Sequence, residues 1–300
     1  MVNPFIEDQL DMAAERELVA RAQGGDASAL ERLIRLHQPW LFNIALRMEP
    51  DYHEAEDLCQ EIILKCFLNL ASFRGESRFR TWLYRIALNQ AINARQSDCE
   101  RRLRASAPSS ADDNAMRDYL GQEFADPKAI PLDLRLLAQE TRIKCMLAML
   151  VCLGRRQRMI FILGDILCVG GPAAAELLGM GEPAFRQALA RARRRLYNFL
   201  FDRCSLVNPG KPCTCERSVA GNVNCGFIDP LHAVFKAGDS ATVRDIVASA
   251  RERLDGIEFG RCQELYREHP FQESPDFARK VLEILGSADF QALLDAEPTG

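Results

Sequence analysis

The chain has 300 residues, a net charge of −4, and an ordinary balance of 48% apolar and 27% charged residues. That is enough for two or three domains with their own cores, and it excludes a disordered or fibrous chain. No signal peptide is expected, and the apolar run Met159–Val169, which holds Gly164 and Asp165, is too short to span a bilayer, so a cytoplasmic protein without membrane contact is expected.

Helical periodicity dominates the chain. Glu15–Gln23 reads as a short amphipathic start, broken by Gly24-Gly25. Asp26 suits an N-cap for a helix over Ala29–Met48, in which Leu30, Leu33, Ile34, Leu41, Ile44 and Ala45 recur on one face. Glu54–Leu70 and Thr81–Leu103 are predicted as the next helices. On the first of these, Glu54, Asp57 and Glu61 share one face, while Leu58, Ile62 and Cys66 line another. A solvated acidic face is the plain reading of that stripe.

The stretch that follows changes the balance. Phe73, Phe79, Trp82 and Tyr84 are interleaved with Arg74, Arg78, Arg80 and Arg85. Unpaired bases need stacking surfaces and their phosphates need cations, which this mixture supplies. Trp82 and Phe79 also suit a core, so Phe73 and Tyr84 are the better candidates for exposed stacking. Asn89, Asn93, Arg95, Arg101, Arg102 and Arg104 then offer groups for base edges and backbone.

Residues 105–131 are rich in Ala, Ser, Asp and Pro and read as a linker, with Asp112, Asp113, Asp118, Glu123 and Asp126 making it acidic. Helices are predicted over Leu132–Val151, Arg155–Gly170, Pro172–Leu178 and Glu182–Phe201. The last two, separated by Gly179 and Met180, have the spacing of a helix-turn-helix. Phe185, Leu189, Ala192 and Leu196 face inward, and Arg186, Gln187, Arg191, Arg193 and Arg194 face outward, as a major-groove helix would require. From Arg155 to Arg217 there are 11 Lys and Arg against 5 Asp and Glu, whereas from Gly226 to Gly300 there are 8 against 14. The basic block suits nucleic acid, and the acidic tail, read as helical over Asp229–Phe290, could fold back and mask it.

The eleven cysteines, in a reducing compartment, favour metal or redox chemistry over disulfides. Cys59, Cys66, Cys145, Cys152 and Cys168 lie in apolar helical patterns and read as core. Cys204, Cys213, Cys215 and Cys225 fall in a Gly- and Pro-rich loop, with His232 just beyond. Three readings stay open for these four: a zinc site, a copper or redox site, and unliganded thiols in a flexible loop.

The pattern Asp57-Leu58-Cys59-Gln60-Glu61, then Phe73-Arg74-Gly75-Glu76-Ser77, then Phe79, Thr81-Trp82-Leu83 and Ile86-Ala87 with Asn89, resembles the second region of bacterial sigma factors of the extracytoplasmic-function class. Gly154–Arg158, Leu177–Met180 and Arg191–Leu196 resemble the fourth region of the same family. Gly154 stands where a proline is usual and Ala173-Ala174-Ala175 where Glu-Ile-Ala is usual. The resemblance implies an all-α fold: region 2 (1–104), linker (105–131), a region 4 helix-turn-helix (132–203), a Cys-rich segment (204–230) and an acidic helical extension (231–300). It implies a non-enzymatic factor that directs core RNA polymerase to promoter DNA, with regulation expected through the extension. Asp57, Gln60 and Glu61 would bind the polymerase β′ clamp. The turn Phe73–Phe79, with Arg78, would capture a flipped base, and Asn89, Asn93 and Arg95 would read the minus-ten element. The second block would read the minus-thirty-five element and rest on the β flap. An anti-sigma factor is a further partner the resemblance allows. The alternative is a stand-alone helix-turn-helix regulator with a metal- or redox-sensing domain.

Overall fold

The structure is a computed structural model that describes residues 12–106, 118–125, 133–231, 265–266 and 271–285. Among these residues the regular structure is helical, and the single β-bridge joins Cys204 to Cys213. No helix among them is long and apolar enough to cross a membrane. The chain divides into two compact units. The first is built on the helices before Arg95 and the segment from Phe271 onward, and the short stretch Ala175–Met180 groups with it. The second holds the described parts of Gln96–Ala174 and Gly181–Pro270.

In the first unit, α1 (Met12–Gln23), α2 (Ala27–Met48), α3 (Tyr52–Leu68) and α4 (Phe79–Asn93) pack together. Aspartates start two of them. Asp26 accepts from the Ser28 and Ala29 N–H groups, and Asp51 from those of His53 and Glu54, so both satisfy donors the helix leaves open. The core comes from the apolar stripes of these helices: Leu33, Ile34, Leu41, Ile44, Ala55, Ile62, Ile63, Leu83 and Ala87 are all buried.

A buried polar pair crosses this core. His37 Nδ1 shares a hydrogen bond with the Tyr84 hydroxyl at 3.2 Å, and both side chains are sealed from water. Burial, helped by the nearby Arg80 guanidinium, drives the imidazole pKa down to about 3. The folded state therefore holds His37 neutral across the physiological range.

The helix predicted over Thr81–Leu103 is two helices. Ala94 leaves helical geometry at ψ 144, and α5 (Asp98–Ser106) starts anew. The Ser97 hydroxyl accepts the Glu100 N–H at 3.0 Å, which is the first half of a capping box. Arg101, Arg102 and Arg104 are thereby removed from the helix that carries Asn89 and Asn93.

The second unit centres on α6 (Leu134–Met149), α7 (Arg155–Phe161) and α9 (Glu182–Phe201), and the helix α8 (Gly171–Leu177) begins in it and runs into the stretch that groups with the first unit. The helix predicted to Gly170 instead leaves α geometry after Phe161 and passes through a π turn, Ile162–Ile166. A Cβ at Gly164 would stand 2.6 Å from a Leu189 methyl, so only glycine lets α9 approach here. Glu100 is wholly buried and takes Arg155 and Arg158 at 2.7 Å each, and Arg104 at 3.0 Å. Burial alone would raise the Glu100 pKa. The Arg158, Arg155 and Arg104 guanidiniums overrule it and hold the carboxyl below its usual value.

The Cys-rich segment is more ordered than its composition suggests. It carries α10 (Val219–Asn224), and Val219 and Ile228 join Leu137 and Ala138 of α6 in one apolar cluster with Phe124, Val223 and Phe227. The part of the linker that is described docks on it as well. Tyr119 donates to Asn222 Oδ1 at 2.6 Å, and Asn224 Nδ2 donates to the Glu123 carbonyl at 2.9 Å. Residues 107–117 and 126–132 of the linker, with Asp112, Asp113 and Asp126, lie outside the described residues.

Of the tail, the described helix is α11 (Phe277–Leu285), which packs on α2 and α3 of the first unit. Charge had suggested that the tail covers the basic helix. For this segment apolar burial decides instead: Phe277, Ala278 and Val281 are fully enclosed. His232 and the apolar pattern from Val243 to Phe259 lie outside the described residues.

Because the folded pKa of His37 is about 3 against 6.5 unperturbed, the unfolded chain takes up a proton that the folded chain refuses as pH falls through that window. Stability of the first unit is therefore lost on acidification below about pH 6.5, by about 1.4 kcal/mol per pH unit from this residue. Denaturation midpoints of the full chain at pH 7.5 and 5.5 should show the loss, and His37→Gln should flatten it even while lowering the baseline.

Candidate nucleic-acid interface

On α3, Asp57 and Glu61 are exposed and Gln60 is half-buried, while Leu58, Ile62 and Cys66 turn into the core. The helix thus presents an acidic, amide-bearing face to solvent, with apolar anchors holding it rigid from behind. The arrangement leaves its carboxylates free to pair with a complementary charge.

The corner between α3 and α4 is a ring cluster. Phe73, Phe79 and Trp82 meet with centroids 5.4–5.7 Å apart. Phe79 is buried and supports the other two, which are half-buried and so show part of their faces. Gly75 takes φ +75, which lets the chain turn sharply between them. Arg74 and Arg78 are exposed on this turn. Tyr84 was expected to be the more exposed stacking ring. It is instead 1% exposed, edge-on to His37, and belongs to the core. Trp82, which suits core and stacking alike, takes its place beside Phe73.

Along α4, Trp82, Arg85, Asn89 and Asn93 follow at spacings of three and four and so share one face. Arg85, Asn89 and Asn93 are exposed, and Arg95 is exposed just past the helix end. Leu88 is buried and takes no part. Rings, guanidiniums and amides are thus in line, which is the set needed to stack a base and hold the strand beside it.

The turn between α8 and α9 contains Gly179 at φ +60, and the Met180 N–H reaches back to the Ala175 carbonyl at 3.0 Å. Pro183 lies in the first turn of α9, where its missing N–H costs nothing. Phe185, Leu189, Ala192 and Leu196 are buried, as expected. Arg186, Gln187, Arg191 and Arg194 are exposed. Arg193 is not available in the same way. Its Nε and Nη2 grip both oxygens of buried Asp165 at 2.8 and 2.7 Å. A bidentate pair of this kind fixes the π turn to α9, so Arg193 is a positioning residue for the helix rather than a contact with DNA. Sequence reasoning also left out Arg195, which is exposed on the same helix.

The expected metal set does not assemble. Among the described residues no three His, Cys, Asp or Glu side chains gather closely enough to hold an ion. Cys204 and Cys213 are bridge partners, with the Ser205 N–H donating to the Cys213 carbonyl at 3.2 Å. Cys225 is exposed, and its thiol donates to the Asn222 carbonyl. Cys145 of α6, read from sequence as core, lies within electrostatic reach of Cys215, Cys213 and Cys204. Burial pushes the Cys204 thiol up to about 11, and raises Cys145 and Cys215 as well. These thiols are therefore protonated and poorly nucleophilic at neutral pH.

Two family models match the chain: Sigma-70 region 2 over residues 33–98, and Sigma-70 region 4 over residues 143–196. These spans contain the acidic face, the ring corner, α4 and the greater part of α9. The RNA polymerase sigma-H factor of Pseudomonas aeruginosa is 40% identical over 84 residues, covering 28% of this chain and 44% of that protein. The ECF RNA polymerase sigma factor SigG of Mycobacterium tuberculosis is 26% identical over 240 residues, covering 77% of this chain and 57% of that protein. The ECF RNA polymerase sigma-E factor of Escherichia coli is 39% identical over 83 residues, covering 28% and 43%. The chain thus spans about half the length of the curated relatives it matches. A solved structure of CnrH in complex with the cytosolic domain of CnrY aligns over 62% of this chain and 97% of that one, at 23% identity and a TM-score of 0.38. The chain thus carries two helical stretches in order, one matching Sigma-70 region 2 and one matching Sigma-70 region 4. Its two matched regions are similar to those of sigma-70 proteins of the extracytoplasmic-function type.

Arg193→Ala should destabilise the second unit by about 3 kcal/mol, because it removes the bidentate partner of the buried Asp165 carboxylate. Arg191→Ala should leave stability within about 0.5 kcal/mol and lower duplex affinity, reducing the salt slope by about 1. Thermal unfolding and binding titrations at several salt concentrations check both.

Proposed function

We propose that this chain acts as a sigma factor: it binds core RNA polymerase, recognises promoter DNA and favours strand opening. The observation that carries the reading is the order of parts in one chain. An exposed acidic face on α3 runs into a ring-and-arginine corner, and a separate helix-turn-helix follows. In this reading Asp57, Gln60 and Glu61 meet the basic coiled coil of the β′ clamp. Phe73 and Trp82 receive an unpaired base of the minus-ten element, with Arg74 and Arg78 on the phosphates and Arg85, Asn89, Asn93 and Arg95 along the strand. Helix α9 enters the major groove at the minus-thirty-five element through Arg186, Gln187, Arg191 and Arg194, and the second unit rests on the β flap. An anti-sigma factor would act by covering these same surfaces.

The work is done by differential binding. Rings and cations contact unpaired bases better than paired ones, so the open state is favoured by their difference in affinity. No covalent step is needed. The Cys-rich segment and tail are the regulatory part of this reading, through their packing on α6 and α2. A stand-alone regulator would need no acidic face on α3.

Co-elution with core polymerase tests the reading. Asp57→Lys with Glu61→Lys should weaken association by about ten-fold or more, corresponding to ~1.4 kcal/mol. Since both side chains are exposed, the melting temperature should not change. Undiminished association of the doubly reversed chain would contradict the assignment of that face.

A further inference from the structure

Neither polymerase binding nor strand opening makes use of residues 271–285, yet their contacts with α2 are specific. Asn43 is completely buried, and its amide pairs with both main-chain groups of Gln272. Nδ2 donates to the Gln272 carbonyl at 2.9 Å, and Oδ1 accepts the Gln272 N–H at 3.0 Å. Asn43 is itself oriented, since Nδ2 also donates to the Pro39 carbonyl at 2.8 Å and Oδ1 accepts Arg47 Nη1 at 3.1 Å. Nearer the start of α2, Gln38 Oε1 accepts the Ala278 N–H at 3.2 Å, and Arg35 reaches Asp276 at 3.1 Å.

Apolar contacts flank these bonds. The Phe271 ring lies 6.4 Å from Trp40 and under the Arg47 guanidinium at 4.8 Å. Phe277 meets Phe42 at 5.6 Å and is wholly enclosed with Ala278 and Val281. An amide that satisfies both main-chain groups of one residue reads a backbone, not a side chain. Pockets for rings on either side of it then supply selectivity.

We propose that α2 carries a peptide-recognition groove. Its ligand is a peptide with an aromatic residue, then an extended residue held by its main chain, then a Pro-Asp cap and a helix with an apolar face. Residues 271–285 supply that ligand in cis. The groove anchors the carboxy-terminal region to the module assigned above to polymerase. With the segment docked, Asp57 and Glu61 remain exposed, so docking leaves the polymerase face open. A tethered ligand of this sort faces its site at an effective concentration in the millimolar range and excludes a free competitor at micromolar levels.

The test uses the full chain and a labelled peptide of residues 271–285. In full-length Phe277→Asp, and separately in Gln272→Pro, the tethered segment is disabled while the groove is untouched. Both variants should bind the peptide saturably at one site, and the unaltered chain should bind it at least about ten-fold more weakly. Peptides that carry Gln272→Pro, which removes the N–H that Asn43 accepts, or Phe277→Asp should not bind. Absence of saturable binding to both variants would overturn the proposal. So would equal binding by the unaltered chain, or indifference to the peptide substitutions. Core polymerase association is measured on the same variants. Its loss would count against the polymerase assignment alone, because peptide binding is read independently.

Discussion

Two buried carboxylates sort the arginines of the second unit. Glu100 claims Arg104, Arg155 and Arg158, and Asp165 claims Arg193. Such pairs return little net stability over apolar substitutes, but they are intolerant of losing a member, and so they hold an arrangement in register. Glu100 ties the short α5 to the start of α7. Asp165, displayed by a π turn that Gly164 makes room for, ties that turn to the middle of α9. The guanidiniums outside these pairs, Arg186, Arg191, Arg194 and Arg195, are exposed on α9. A basic helix acquires a defined outward face because its one inward arginine is already engaged.

The first unit achieves the same rigidity with rings and neutral polar groups. His37 and Tyr84 occupy the space between α2 and α4, and Phe79 props Phe73 and Trp82 from beneath. Rings packed with centroids 5.4–5.7 Å apart hold one another in place. Their exposed parts are thus preorganised for a flat ligand, and in the proposed function little ordering entropy would be left to lose on stacking with an unpaired base. The acidic face of α3 is stiffened in the same way by Leu58, Ile62 and Cys66 on its inner side.

Much of this architecture was legible in the sequence, and the failures have identifiable causes. Helix α9 was found with its limits intact because the inward stripe, the proline in its first turn and the preceding glycine all agree. The break after Asn93 was missed although Ser97 and Glu100 spell a capping box, since the apolar period runs on across it. Tyr84 and Trp82 exchanged roles because aromatic residues suit core and surface alike, and only the position of His37 decides between them. Arg193 was grouped with its neighbours on helical spacing. Its partner Asp165 lies 28 positions earlier in a π turn, and no periodicity reveals that. The Cys-rich segment is loop and turn over residues 204–218, as its glycine and proline signal, while α10 was hidden because Val219, Val223 and Ile228, which pack it onto α6, are too few for a period. The docking of Phe277 on α2 was hidden because net charge is a poor guide where apolar area and main-chain hydrogen bonds are at stake.

The central claim is that Phe73 and Trp82, held by Phe79, stabilise unpaired promoter bases once polymerase is bound. Fluorescence of a base analogue placed in the minus-ten element, followed after the full chain and core polymerase are mixed with duplex DNA, reports strand opening directly. The account predicts a rise with the unaltered chain, and a loss of that rise with Phe73→Ala plus Trp82→Ala while polymerase remains associated. Unpairing that proceeds equally with both rings removed would contradict it.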